Sequence, residues 1–269
     1  MVPVVFIQDG FIGHNSKNNF DIVVAQAAQK NEVILISTEP NPLVNNFPLN
    51  DYENLASVFD KHYIHLSQNV EEFERRAFRR WFILAEFMRR HELPRVFSCD
   101  SDVLIYSNLT DLSPLYPGSG CCIPKRQEPY RWTASGHSIF WDYSDIFKFF
   151  EFTLKEYESP DRIKEKYHWH QTNQVAGGIC DMTFLYLFSQ DNSLGTLLKC
   201  RNNSTFDSSI KSAENFLESE YELENDIKKV TWDKDTPYCK RSDCNELVKF
   251  HTLHFQGDSK KYINSFKNF

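Results

Sequence analysis

Two aspartates one residue apart, Asp100 and Asp102, stand inside the run Arg95-Val96-Phe97-Ser98-Cys99-Asp100-Ser101-Asp102-Val103-Leu104-Ile105. Side chains at i and i+2 of a strand leave the same face, so two carboxylates at this spacing can reach toward one cation if the chain turns as it leaves the strand. A Mg²⁺ or Mn²⁺ held there could bridge the two phosphates of a nucleotide-sugar and neutralise the charge that builds on a leaving diphosphate. Asp-x-Asp by itself is a weak signal, because surface turns favour Asp anyway. Here the pair is enclosed by apolar sequence, where unpaired carboxylates are costly, so burial demands a counter-charge.

Residues 95–105 resemble the signature strand of glycosyltransferases of the GT-A fold, particularly the glycogenin and bacterial lipopolysaccharide galactosyltransferase group. The end of the chain agrees: Leu253-His254-Phe255-Gln256-Gly257-Asp258-Ser259-Lys260 is similar to that group's C-terminal His-x-x-Gly-x-x-Lys motif. The resemblance makes His254 the residue that completes the metal site with Asp100 and Asp102, and it makes Gly257 and Lys260 contacts to the diphosphate. The residue types suit those roles. A neutral imidazole tilts the ion preference toward Mn²⁺, a glycine lets backbone approach phosphate, and an ammonium is a compact point charge. A helix starting near Lys260 would add an anion-favouring amino end.

The same resemblance places the donor sugar beside the small residues of Ala134-Ser135-Gly136-His137, so Ser135 and Gly136 become donor contacts. Gly177-Gly178-Ile179-Cys180-Asp181-Met182 is similar to the group's approach to a catalytic-site acid, which assigns that role to Asp181; capping a following helix is its other use. The group usually has Gln after this acid, and Met182 departs from it. Gln8 and Asp9 fall where such folds hold base and ribose, Ser101 lies between the two acids, and Arg80 corresponds to a basic residue that touches the diphosphate. Arg79 is nearly as good a match, and a solvated helix charge is the alternative for both. Trp132, Trp141, Trp169 and His170 could form a stacking surface for an acceptor sugar, or be core residues.

The implied reaction moves a sugar from a nucleoside diphosphate, uridine diphosphate above others, to a hydroxyl of a glycan or other acceptor, with Mn²⁺ or Mg²⁺ as cofactor. In an inverting reaction Asp181 would be the general base; in a retaining one it would steady the oxocarbenium-like centre. A sugar nucleotidyltransferase is a rival reading, but it wants a glycine-rich basic loop after the first strand, and Gln8-Asp9-Gly10-Phe11-Ile12-Gly13 has no positive charge. A carbohydrate-binding or interaction module on the same fold is the rival outside enzymes.

These residues need elements to hold them. Short β-rich runs alternating with helical stretches over the first hundred residues predict an α/β fold: a Rossmann-like GT-A domain whose central mixed, mostly parallel sheet is flanked by helices. Strands are expected at 2–7, 33–37, 95–99, 120–124, 137–141 and 250–255. Helices are expected at 19–30, 70–91, 145–157 and 259–266. In the 70–91 helix, Phe73, Ala77, Trp81, Leu84 and Met88 share one face, while Arg75, Arg76, Arg79 and Arg80 cannot all be inside. Residues 41–50, with two prolines, are expected as a loop, and the acidic 218–226 as a solvated helix or loop. One domain over 1–269 follows, with 1–115 as the nucleotide-binding half and 116–269 as the acceptor and catalytic half.

At 269 residues with 41% hydrophobic and 15% aromatic content, the chain can bury a large core. Its net charge of -7 gives no broad basic footprint, which argues against generic nucleic-acid or anionic-membrane binding. The apolar start at 2–7 is too short for a membrane span and lacks the basic beginning of a signal peptide, so a soluble, cytoplasmic protein without membrane insertion is expected. Seven cysteines are read as plain thiols, Cys121 and Cys122 in a strand, with Cys239 and Cys244 a weak metal-like pair. The acceptor sequences at Asn108, Asn202 and Asn203 are assigned no role.

Overall fold

A computed structural model describes residues 1–10, 14–124, 129–192, 194–216 and 219–269. Strand β1 (Val4–Gln8) leads through helix α1 (His14–Ala28) to β2 (Val33–Ser37), which lies parallel to β1 with Val4 opposite Val33. All five β2 residues are buried, as expected of a parallel strand covered on both faces. The 41–50 loop is corrected: β3 (Asn45–Pro48) pairs parallel with β2. The polar sequence hides this strand because it is an edge, where Pro48 at its end costs no ladder bond. The Asn46 side chain ties the preceding turn by bonding the Asn41 backbone twice, accepting from its amide at 2.7 Å and donating to its carbonyl at 2.6 Å.

Helix α2 (Asn54–Asp60) lies outside the sequence expectations, whereas α3 (Glu71–Arg90) matches one. Phe78, Trp81, Phe82, Leu84, Ala85 and Met88 of α3 are buried, but Phe73 is 65% exposed. The first turns of the helix overhang the sheet, so Phe73 and Ala77 line an open cleft instead of the core. Three of the four arginines pair outside, Arg75 with Glu71, Arg76 with Glu72, and Arg79 with Glu53 and Asp60, leaving Arg80 to point inward.

Strand β4 (Arg95–Cys99) runs parallel to β1, followed by β5 (Val103–Ile105), the short α4 (Leu109–Leu112) and β6 (Gly120–Cys122). Strand β7 (Ser135–Asp142) is antiparallel to both β4 and β6. Helices α5 (Tyr143–Glu158), α6 (Asp161–Thr172) and α7 (Asp181–Asp191) precede β8 (Gly195–Thr196), which closes the sheet parallel to β6. The result is a mixed, mostly parallel seven-stranded sheet in the order β3-β2-β1-β4-β7-β6-β8, flanked by helices. Pleating divides the core: Val4 and Phe6 join the layer under α1, Val5 the layer under α2, α3 and α5.

The expected solvated helix or loop at 218–226 is also corrected. After β9 (Ser204–Thr205) come the hairpins β10 (Glu214–Phe216) with β11 (Ser219–Glu220), and β12 (Leu223–Glu224) with β13 (Ile227–Lys228). Strands of two or three residues carry no readable periodicity, yet Tyr221 between them is buried against Phe250. Asn225 and Asp226 turn the second hairpin with φ of 53° and 62°, a conformation Asn and Asp tolerate well. Strands β14 (Val230–Asp233), β15 (Thr236–Lys240) and β16 (Leu247–Phe250) form a second sheet with β9.

The expected 250–255 strand divides at His251 into β16 and β17 (Thr252–His254), and β17 pairs antiparallel with β5. The terminal helix is a 3₁₀ turn over Gly257–Tyr262 followed by α8 (Ile263–Phe266). All seven cysteines are free thiols. Cys239 is buried inside β15 while Cys244 is exposed, so these two do not form a metal pair. Asn108 caps α4 through Thr110 and Asp111, a structural use of the first glycosylation-like sequence. Among the described residues no helix is long and apolar enough to cross a membrane.

Candidate active site

The pairing of β5 with β17 brings the two ends of the sequence motif together. His254 sits opposite Val103, and the Phe255 amide donates to the Asp102 carbonyl at 2.9 Å. Asp100 and Asp102 occupy the turn between β4 and β5, closed by the Val103 amide on the Asp100 carbonyl at 3.3 Å and fixed to β7 by the Asp100 amide on the His137 carbonyl at 3.0 Å. This turn lies at the carboxyl ends of β1 and β4, where open α/β sheets bind ligands.

Each acid faces a cation. Arg80 hydrogen-bonds Asp100, reaches Asp181 Oδ2 at 2.7 Å with its other nitrogen, and covers the Trp81 ring at 4.2 Å. Burial pushes the Asp100 carboxyl up, but Arg80, with His137 and His254 behind it, outweighs that and holds it below the usual value. Lys260 Nζ is 3.1 Å from Asp102 Oδ2. Asp102 Oδ1 is buried with no hydrogen-bond partner, and His254 Nε2 lies 3.6 Å away. The His254 ring donates from Nδ1 to the Ser208 carbonyl at 2.9 Å, an arrangement that directs Nε2 at Asp102. His137 stacks on His254 at 3.8 Å between ring centres. Burial, then its His254 neighbour, pulls His137 down to about 3, so His137 is neutral near pH 7. His137 donates from Nε2 to the Asp207 carbonyl and accepts from Ser135 Oγ. Among the described residues no three His, Cys, Asp or Glu side chains are already arranged around one ion position; Asp100 is turned to Arg80.

A cleft of about 560 Å³ opens over this group. Gln8, Asp9, Arg80, Asp100, Ser101, Asp102, Ser135, Asp181, His254 and Lys260, all singled out from sequence, line it. Asp181 opens α7 without capping it: the cap position is Cys180, and no side chain bonds there. Both Asp181 contacts, from Arg80 and from Trp81 Nε1 at 3.1 Å, fall on Oδ2. Met182 lines the cleft beside it.

The other sequence candidates stand elsewhere. Gly136 is packed on Trp81: a Cβ there would meet Trp81 Cζ2 at 2.4 Å, so close approach of β7 to α3 explains the glycine. Gly257, at φ 63° with open space around it, turns the chain between Gln256 and Lys260, both cleft residues. Trp132 and Trp169 gather around Tyr130, at 5.1 and 6.0 Å, away from the cleft lining. His170 is buried, accepting from Lys166 at 3.0 Å and donating to the Val175 carbonyl at 3.2 Å, a satisfied structural histidine. Trp141 is a core residue. Sequence reasoning missed Phe73, Glu74 and Gln256 as cleft residues; only Gln256, inside the C-terminal motif, gave any signal.

No family model and no curated protein matches the chain. Among solved structures, it is similar to the glycosyltransferase GlyE of Streptococcus pneumoniae TIGR4, with TM-score 0.37 and 15% identity over 73% of this chain and 46% of that one. It is also similar to a glycosyltransferase involved in the glycosylation of the major capsid of PBCV-1, with TM-score 0.31 and 12% identity over 55% of this chain and 65% of that one. The chain spans less than two thirds of either. Superposition this loose assigns no activity, and the chemistry has to be read from the cleft itself.

Proposed function

We propose that the chain is a glycosyltransferase that moves a sugar from a nucleoside diphosphate donor, a uridine diphosphate sugar by preference, to a hydroxyl of a glycan or other acceptor. Asp100, Asp102 and His254 would hold Mn²⁺ or Mg²⁺. The observation that carries this reading is a buried, unpartnered Asp102 oxygen facing His254 Nε2 at 3.6 Å on a large open cleft. Two acceptors facing each other in a low-dielectric site call for a cation between them. One carboxylate oxygen and one imidazole nitrogen, with a second carboxylate beside them, are a donor set suited to Mn²⁺. When bound, the ion supplies neutralisation of the donor's diphosphate as the nucleotide leaves.

The protein's own residues do the rest. Arg80 and Lys260, now paired with Asp100 and Asp102, would meet phosphate oxygens once those acids hold an ion. Gln8 and Asp9, which line the cleft at the end of β1, would hold base and ribose. Ser135 keeps the wall near the sugar small. Asp181, fixed by Arg80 and Trp81, is the acid for sugar contact or catalysis.

A second reading has its own observation: both acids already have a cation, Arg80 on Asp100 and Lys260 on Asp102. In that version the two side chains meet the diphosphate without a metal. Incubating the protein with uridine and guanosine diphosphate sugars and measuring released nucleoside diphosphate tests both. Slow hydrolysis with Mn²⁺, lost with chelator, is the expected result. Release that ignores chelator replaces the metal with the two side chains, and inertness with every donor overturns the transferase.

A further inference from the structure

The segment between α7 and β17 holds an ion pair that the chemistry above does not use. Lys228 and Asp207 are both 0% exposed, with Lys228 Nζ donating to Asp207 Oδ1 at 2.8 Å. The same ammonium donates to the Ser209 carbonyl at 2.6 Å. It therefore grips the residues on either side of Ser208, whose carbonyl accepts the His254 Nδ1 proton. Asp207 is bonded twice more toward the site: its Oδ2 accepts from the His254 amide at 2.9 Å, and its carbonyl accepts from His137 Nε2 at 2.9 Å. The Ile210 amide closes the far end on the His254 carbonyl at 2.9 Å.

We propose that the Lys228–Asp207 ion pair is the positioning device for His254, fixing the Ser208 carbonyl so that the imidazole carries its proton on Nδ1 and aims a bare Nε2 at Asp102. Apolar side chains of similar volume often replace a buried ion pair without loss of stability. They cannot hold a row of carbonyls in place. The β12–β13 hairpin thus acquires a role, because β13 supplies the lysine that orients a side chain of the cleft. The consequence for metal binding rests on the function proposed above, whereas the tautomer is a property of the protein alone.

Two-bond ¹H–¹⁵N correlation spectra of ¹⁵N-labelled, ligand-free protein at neutral pH test this, with His254 assigned by its absence in His254→Asn. Wild type is expected to show the Nδ1–H form. Lys228→Met is expected to raise the share of the Nε2–H form at least tenfold. Because that variant leaves a buried aspartate unpaired and is at risk of not folding, Asp207→Asn/Lys228→Met is measured beside it. The double variant removes both charges, keeps an acceptor for the His254 amide, and is expected to lose the tautomer while folded. A folded variant of either kind with the wild-type tautomer overturns the proposal, as does a wild-type His254 protonated on Nε2. Added Mn²⁺ separates the two claims: failure to broaden the His254 resonance contradicts the metal reading and leaves the positioning device standing.

Discussion

At His254 a single hydrogen bond to the Ser208 carbonyl sets the proton on Nδ1 and turns Nε2 toward Asp102. Replacing its partner, Asp102→Asn, keeps the shape and removes the charge, so donor turnover should fall about a hundredfold or more while the melting temperature changes little; nucleotide release read beside a thermal melt checks it. His251 behaves differently. Burial, with Lys249 adding to it, pulls its folded-state value down to about 3, and its Nε2 is buried without a partner. A histidine depressed below its unfolded value contributes stability above about pH 6.5 that is lost as pH falls toward 3. From pH 7 to pH 5 this one group should cost about 2 kcal/mol, visible in urea unfolding and absent in His251→Asn. Asp100 and Asp102 were legible as cleft residues because carboxylates inside an apolar run must have partners, and His254 and Lys260 through the motif that the end of the chain resembles. Asp207 and Lys228 were not, because their pairing is made across 21 residues of irregular hairpins with no local pattern.

Helix α3 shows what periodicity can and cannot reveal. Its apolar stripe marks the side that packs on the sheet, but not where the sheet ends, which is why Phe73 lines the cleft. Gly136 was legible as a place that needs a small residue; what it makes room for is Trp81, which in turn holds Asp181. Gly136→Ala should therefore overpack the β7–α3 contact by about 1–3 kcal/mol and also lower turnover through Asp181, a pairing that chemical denaturation and a donor hydrolysis assay would detect together. The strands at 33–37 and 95–99 match expectation to the residue because each is apolar and bounded by breakers. Strand β3 and the hairpins after Thr205 escaped because edges and two-residue strands leave too few buried positions to repeat.

Across the whole molecule, the cleft draws on both halves of the chain: Gln8, Asp9, Arg80 and the two acids from 1–115, Ser135, Asp181, His254 and Lys260 from 116–269. The buried ion pair ties the late hairpins to this cleft, so Lys228→Met, which strands Asp207 in the interior, should destabilise the fold by about 3–5 kcal/mol in equilibrium unfolding, with most of it restored in the double variant. An acidic protein with net charge -7 gathers two of its cations, Arg80 and Lys260, on the lining of one cleft. The central claim is that a divalent ion joins them there. A crystal soaked with Mn²⁺ and a uridine diphosphate sugar tests it most directly through the anomalous signal of manganese. The expected peak lies between Asp102 and His254 Nε2. A diphosphate held by Arg80 and Lys260 with no manganese beside it, or a peak elsewhere on the molecule, would contradict the account.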